Sequence, residues 1–179
     1  MISIQKTSSF RVVAIPTNSA LSSFFRRIDF SDAYELELSK PELRVGEAYM
    51  AIFCFAPAWI RGLMNLRGLI AVHLGLKHPF VTHDVQQGDL MIVELGRRVG
   101  PFTVQSVSPN ELIVGDDDTH LNFRISTLKT EREGRFYITV STAVEIHNTL
   151  GRFYMVVVKP FHKLLASHML RRAALSGRL

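Results

Sequence analysis

The stretch that decides the fold is Phe136-Tyr137-Ile138-Thr139-Val140-Ser141-Thr142-Ala143-Val144-Glu145-Ile146-His147, followed after Asn148 by Thr149-Leu150-Gly151-Arg152-Phe153-Tyr154. In the first part Phe136, Ile138, Val140, Val144 and Ile146 alternate with Tyr137, Thr139, Ser141, Glu145 and His147. A period of two predicts a strand with one apolar and one polar face. In the second part Leu150, Phe153, Tyr154, Val157, Phe161, Leu164, Leu165 and His168 recur every three to four residues. That spacing predicts one apolar stripe along a long helix, with Pro160 bending it. The chain therefore ends as a strand feeding a terminal helix.

The same alternation runs upstream. Leu121, Phe123 and Ile125 share a face opposite Asn122, Arg124 and Ser126, predicting a strand over 120–128. Further strands are predicted near 80–85, 89–95, 102–107 and 111–115, separated by turns at Pro109-Asn110, Gly115 to Thr119 and Glu131 to Gly134. One wet face implies an antiparallel sheet covered on a single side, and only the C-terminal helix is long enough to cover it. Nearer the N-terminus, Leu21, Phe24, Phe25 and Ile28 predict a short helix over 17–27, Ala33 to Leu38 a strand, and residues 46–53 a helix. Pro57 opens a second helix with Ile60, Leu63, Leu66, Leu69, Ile70 and Leu74 on its apolar face. The expected class is α+β, a curved antiparallel sheet wrapped around a long C-terminal helix. Two short helices follow the first strand, and an extra helix precedes it. One domain spans 1–179, with 1–14 as an N-terminal extension and 174–179 as a frayed tail.

Composition sets outer limits. The 179 residues are 47% hydrophobic and 21% charged, which excludes a disordered chain. Cys54 is the single cysteine, so neither an intrachain disulfide nor a multi-cysteine zinc cluster can form. Apolar runs are broken by Pro16, Pro57, Arg61, Arg67 and Pro160 before they reach membrane-spanning length, and a cytoplasmic location is expected. Net charge is +5, and it is concentrated: residues 151–179 carry six basic side chains and no acid. These cations read first as the solvated face of the helix. No nucleic-acid partner is expected, and a membrane surface is the lesser alternative.

The sharpest chemical feature is Asp116-Asp117-Asp118-Thr119-His120 at the entry to a strand. If strands 120–128 and 136–147 form a hairpin across Thr130–Arg135, one register sets His120 opposite Glu145 and Asp118 opposite His147. That would gather Asp118, His120, Glu145 and His147, ligand types suited to a divalent metal, or an acid–base pair of Asp118 and His120. A cross-strand ionic ladder on the wet face is the simpler reading, so no metal, cofactor or catalytic residue is assigned first. His162 reads as a satisfied core histidine, His73, His78 and His83 match no single face, and Cys54 reads as a small buried hydrophobe. Arg124 and Tyr137, candidates for fixing a polar ligand end, fall on the outer face. Nucleophile-elbow, phosphate-loop and dinucleotide motifs are absent.

Several segments in order carry a family resemblance. They are Ile15-Pro16 with Asp29-Phe30-Ser31-Asp32-Ala33-Tyr34; Pro57-Ala58-Trp59 with Leu63-Met64 and Leu66-Arg67; Gly75-Leu76-Lys77; Val99-Gly100-Pro101-Phe102; Gly115 to Arg124; and Leu150-Gly151-Arg152-Phe153-Tyr154 with Lys159-Pro160-Phe161-His162. Together they resemble a bacterial family of uncharacterised proteins, domain of unknown function 2867, within the SRPBCC or START-like helix-grip superfamily. The resemblance implies an apolar cavity between sheet and helix, without implying one chemistry. Phe53, Trp59, Leu63, Phe123, Ile138, Val140, Phe153, Val157 and Phe161 are the expected lining. The expected function is binding of a small hydrophobic or amphipathic ligand, an apolar molecule or lipid, without catalysis. Two alternatives stand beside it: a cyclase- or hydrolase-like enzyme using the Asp/His cluster, and membrane or protein-partner binding through the basic helix.

Overall fold

The computed structural model describes residues 10–55, 62 and 93–179. Seven strands form one antiparallel, open and curved sheet in the order β1-β2-β7-β6-β5-β4-β3. They are β1 (Arg11–Val12), β2 (Phe30–Glu37), β3 (Arg98–Val99), β4 (Phe102–Val107), β5 (Glu111–Asp117), β6 (Leu121–Arg132) and β7 (Arg135–Ile146). A 3-10 helix (Ala20–Phe24) precedes β2, α1 (Val45–Phe53) follows it, and α2 (Thr149–Leu175) ends the chain. The α+β class and the sheet-plus-terminal-helix arrangement match the sequence expectation, in a form consistent with a helix grip. The second short helix, opened by Pro57, and the strand at 80–85 lie outside the described residues. Residues 93–95, the described end of the strand expected at 89–95, are not in a strand.

The inner face of the sheet carries Tyr34, Leu36, Val104, Leu112, Val114, Ile125, Ile138 and Val140, which pack with α1 and the second half of α2 into the main core. A smaller cluster joins Phe30, Leu121 and Val144 to Tyr154 and Met155 in the first half of α2. The tail expected to fray is docked instead. Leu179 is buried in the main core, and the Arg178 and Gly177 amides close back onto Ala173 and Ala174.

Three further expectations are corrected. The β6–β7 hairpin turns at Glu133 and Gly134, both with positive φ (53° and 72°), so Arg132 pairs with Arg135. This is the two-residue turn whose twist suits a hairpin, and it extends both strands through residues read as loop. The register moves by two residues: His120 now lies across from His147, and Asn122 across from Glu145.

The outer face is not simply wet. The N-terminal segment lies on it, with Leu21 buried against Ile113 and Ala143 and joined by Ile15, Phe24, Phe25 and Ile28. Its anchor is Glu111, whose carboxylate accepts from Ser19 Oγ (2.5 Å), the Ala20 amide (2.9 Å) and Ser126 Oγ (2.5 Å). Small hydroxyl residues can be buried once bonded, so polar alternation did not mean solvent here. The 3-10 element has an apolar side of its own and needed somewhere to bury it.

The third correction is the rotation of α2. Phe153, Val157 and Phe161 are 64%, 44% and 50% exposed, and the buried or half-buried side is Gly151, Tyr154, Met155, Val158, His162, Met169, Leu170 and Ala173. The cause lies in the first turn. A Cβ on Gly151 would sit 2.3 Å from the His120 carbonyl oxygen, so only glycine lets the helix rest there. Asn148 caps the same turn, accepting from the Gly151 amide at 3.0 Å and donating to the Thr119 carbonyl at 3.2 Å. Glycine and cap together fix which side faces the sheet.

Candidate functional site

Between the two inner-face clusters runs a polar band. Asp32 on β2 pairs with Thr142 on β7, and Tyr34 stands two residues further along β2 on the same face. From above, α2 lowers His162 onto them, between Val158 of the smaller cluster and Leu165 and Ala166 of the main one. His162 Nδ1 lies 3.1 Å from Asp32 Oδ2, and its Nε2 lies 3.5 Å from Thr142 Oγ1. Tyr34 donates its hydroxyl to Asp32 Oδ2 at 3.4 Å. Phe30 sets its ring edge-on to the imidazole at 5.9 Å, with the Lys159 ammonium over its face at 5.3 Å.

The electrostatics of this group are unusual for a core. The Asp32 side chain is 6% exposed and that of His162 is 22% exposed, so the imidazole is the more solvent-accessible member of the pair. Asp32 Oδ1 is buried with no hydrogen-bond partner among the described residues. Leaving a buried acceptor unmet costs about 1–3 kcal/mol, more for a charged group. Burial, and then the neighbouring Asp32 carboxylate, push the Tyr34 phenol up to about 12, so it stays a donor at neutral pH. In a neutral imidazole that directs Nδ1–H at Asp32, Nε2 is the acceptor toward Thr142 or a bound molecule. The arrangement can accept a hydrogen bond on Oδ1, orient a polar group against the imidazole, and pass a proton through it.

The sequence-predicted residues are divided by the structure. Ile138 and Val140 are buried in the main core; Phe123 and Phe53 are half-buried beside it, with rings 5.4 Å from Phe102 and 4.7 Å from Tyr49. Trp59 and Leu63 lie outside the described residues. Phe153, Val157 and Phe161 face away from the sheet and line nothing beneath the helix.

Asp118, His120, Glu145 and His147 do not assemble either. Thr119 donates to Asp118 at 2.9 Å, the Asn148 amide lies 2.9 Å from His120 Nδ1, and His147 meets His120 through the backbone. Among the described residues, no group of three or more His, Cys, Asp or Glu side chains is placed to hold a metal ion. Arg124 is on the outer face as expected, buried there against Asp117 at 2.7 Å and beside the Phe24 ring at 5.6 Å. Burial pushes the Cys54 thiol up, which opposes a nucleophilic role.

Asp32, Tyr34 and Thr142 were not singled out from the sequence, where Asp32 reads as the end of a turn. One signal was available: Asp32, Tyr34 and Leu36 share strand parity, which sets an acid on an apolar face. An α+β sheet gripping a terminal helix, with a buried Asp–His pair in its seam, defines the class. The chain belongs to the family described as Protein of unknown function (DUF2867), whose model matches residues 24–169 and so includes all four polar-band residues. No curated protein and no solved structure matches the chain.

Proposed function

We propose that the protein binds a small amphipathic molecule in the seam between the sheet and α2, with the polar end of the ligand on Asp32 and His162. The observation that carries this reading is Asp32 Oδ1, a buried carboxylate oxygen without a partner among the described residues. An N–H or O–H donor on a ligand would satisfy it. Phe30, Met155 and Val158 offer apolar contact on one side, and burial there contributes about 25 cal/mol per Å². The resemblance to helix-grip carriers supports the same reading and with it membership of the SRPBCC superfamily. The expected lining is revised: the polar band replaces the Phe153–Val157–Phe161 ridge.

The test is binding of dodecanol, dodecylamine and dodecane to the full chain by native mass spectrometry. The alcohol and amine are expected to bind roughly tenfold or more tightly than the alkane, the effect of about 1.5–3 kcal/mol for a hydrogen bond to a charged group. Asp32→Ala should erase that preference. Equal binding of all three, or a preference that survives Asp32→Ala, refutes the reading.

A second reading is favoured by the order Asp32–His162–Thr142, in which one imidazole nitrogen faces a carboxylate and the other a hydroxyl. It is general acid–base catalysis on the bound molecule, with His162 as proton carrier and Asp32 holding its tautomer. Turnover lost in His162→Gln with ligand binding kept would support it; binding without turnover of any bound ligand would not.

A further inference from the structure

The outward side of α2 carries a second feature that the polar band does not use. Phe153, Val156, Val157, Phe161 and Leu164 are exposed by 64%, 73%, 44%, 50% and 61%. At 3.6 residues per turn they centre roughly 160° around the helix from the line of Gly151, Met155, His162 and Ala173. Among the described residues these side chains belong to none of the core clusters, and a contiguous exposed patch marks an interaction surface.

The charges beside the ridge select its partner. Arg152 and Lys163 are exposed and lie about 20° apart on one flank, beside Lys159, whose ammonium turns inward over Phe30. No acidic side chain occurs from Thr149 to Leu179, and Asp29, the acid that acts on Arg152 from outside the helix, is ion-paired with Arg27 at 2.8 Å. A protein partner would ordinarily be met with mixed charges, whereas an anionic surface is met with one sign. Apolar ridge, cationic flank and opposite side anchored to a folded body together describe a helix that lies in a lipid interface. Among the described residues no helix is long and apolar enough to cross a membrane, so the attachment is in-plane.

We infer that the ridge Phe153–Leu164 docks the protein on the surface of an anionic lipid bilayer, with Arg152 and Lys163 over the headgroups. The inference is independent of the ligand proposed for Asp32.

The experiment is co-sedimentation of the full chain with vesicles of phosphatidylcholine alone or mixed with phosphatidylserine, at low and high salt. Retention is expected on the anionic vesicles only and is expected to fall at high salt, because exposed charges are screened within about 8 Å at physiological ionic strength. Arg152→Gln with Lys163→Gln should weaken retention roughly 25-fold, from about fivefold for each cation near an anionic leaflet. Phe153→Ser with Phe161→Ser should abolish it while the circular dichroism spectrum and Tm stay unchanged, since both positions are exposed. No retention on anionic vesicles overturns the inference. So does equal retention on neutral ones, undiminished binding by a folded ridge variant, or a dimer in solution that the ridge variant dissolves.

Discussion

Gly151→Ala is the substitution in which local propensity and tertiary packing disagree in sign. Alanine in a helix interior is favoured over glycine by about 0.8–1.0 kcal/mol, so a helix-only account expects a more stable protein. The packing account starts from the 2.3 Å between a Cβ at position 151 and the His120 carbonyl oxygen, with Ile146 Cγ2 at 3.0 Å behind it. An ordinary carbon–oxygen contact is about 3.3 Å or more, so the first turn of α2 must lift by about 1 Å. Lifting it strains the Asn148 cap and the β6–β7 end beneath. Overpacking costs about 1–3 kcal/mol, and a clash with a backbone oxygen, which cannot rotate away, falls in the upper half, about 2–3 kcal/mol. After the propensity gain the net loss is about 1–2 kcal/mol, a fall in Tm of roughly 2–8 °C for a chain of this size. Val156→Ala is the control: it sits on the exposed side of the same helix and is expected within about 0.5 kcal/mol of wild type. Thermal and urea unfolding followed by circular dichroism measures both. A Gly151→Ala protein as stable as wild type, or more so, would refute the claim that this glycine sets the rotation of α2.

Glu111→Ala removes three hydrogen bonds at once and leaves Ser126 and the Ala20 amide without their acceptor, so a loss of about 3 kcal/mol or more is expected. Urea unfolding checks the size, and protease cleavage near Ser19 should accelerate as the N-terminal segment comes loose. Tyr34 gives a pH signature. Its folded-state value of about 12 lies above the ordinary 10.0, so between those values the folded chain keeps a proton that the unfolded chain has lost. Stability from this group is full below pH 10 and lost as pH rises through 12. Unfolding measured across that window should show a decline that Tyr34→Phe flattens.

How far the sequence could be read depended on whether an element has one apolar pattern or two. Strands 102–107 and 136–147 each show one, and both lie where alternation put them, to within a residue; 111–115 lies within two residues of its expected place, although Leu112, Ile113 and Val114 run together and are buried on both faces. The hairpin register failed because Thr130 to Arg132 are polar and Glu133-Gly134 is not among the turn pairs that announce themselves, although its backbone takes the same mirror-image turn. The helix failed differently. Between Leu150 and Leu165 apolar residues occur on two opposite sides, and hydrophobic area cannot choose between them. Gly151 chooses, through a contact with a carbonyl distant in sequence, which periodicity does not contain. Asp32 was missed for the same kind of reason: its meaning depends on His162, 130 residues away, arriving over it. His162 itself was visible as an inward polar residue in an apolar stripe, though the stripe was drawn one side too far around.

The rotation of α2 bears on why the Asp32–His162 pair exists. Turned the other way, the helix would bury Phe153, Val157 and Phe161 in exchange for Tyr154, Met155, Met169 and Leu170, so apolar burial does not decide between the rotations. The observed rotation holds a buried carboxylate against an imidazole. Such pairs rarely raise stability over an apolar substitute: even where both members are charged, replacing a buried pair with hydrophobic residues of similar volume is often neutral or stabilising by about 1–4 kcal/mol, whereas removing one partner costs about 3–5 kcal/mol. The pair can therefore be tested for its reason to be there. If it serves as a structural bolt, Asp32→Leu, His162→Leu and the double variant should all be destabilised, the double most of all. If it serves a ligand, the double variant should be at least as stable as wild type, recovering what Asp32→Leu or His162→Leu alone loses, and should lose the preference for dodecanol over dodecane. A double-mutant cycle on unfolding free energy, with binding measured on the same four proteins, separates the two. A double variant less stable than both single variants would remove the ground for reading this site as anything more than a fastening for the helix.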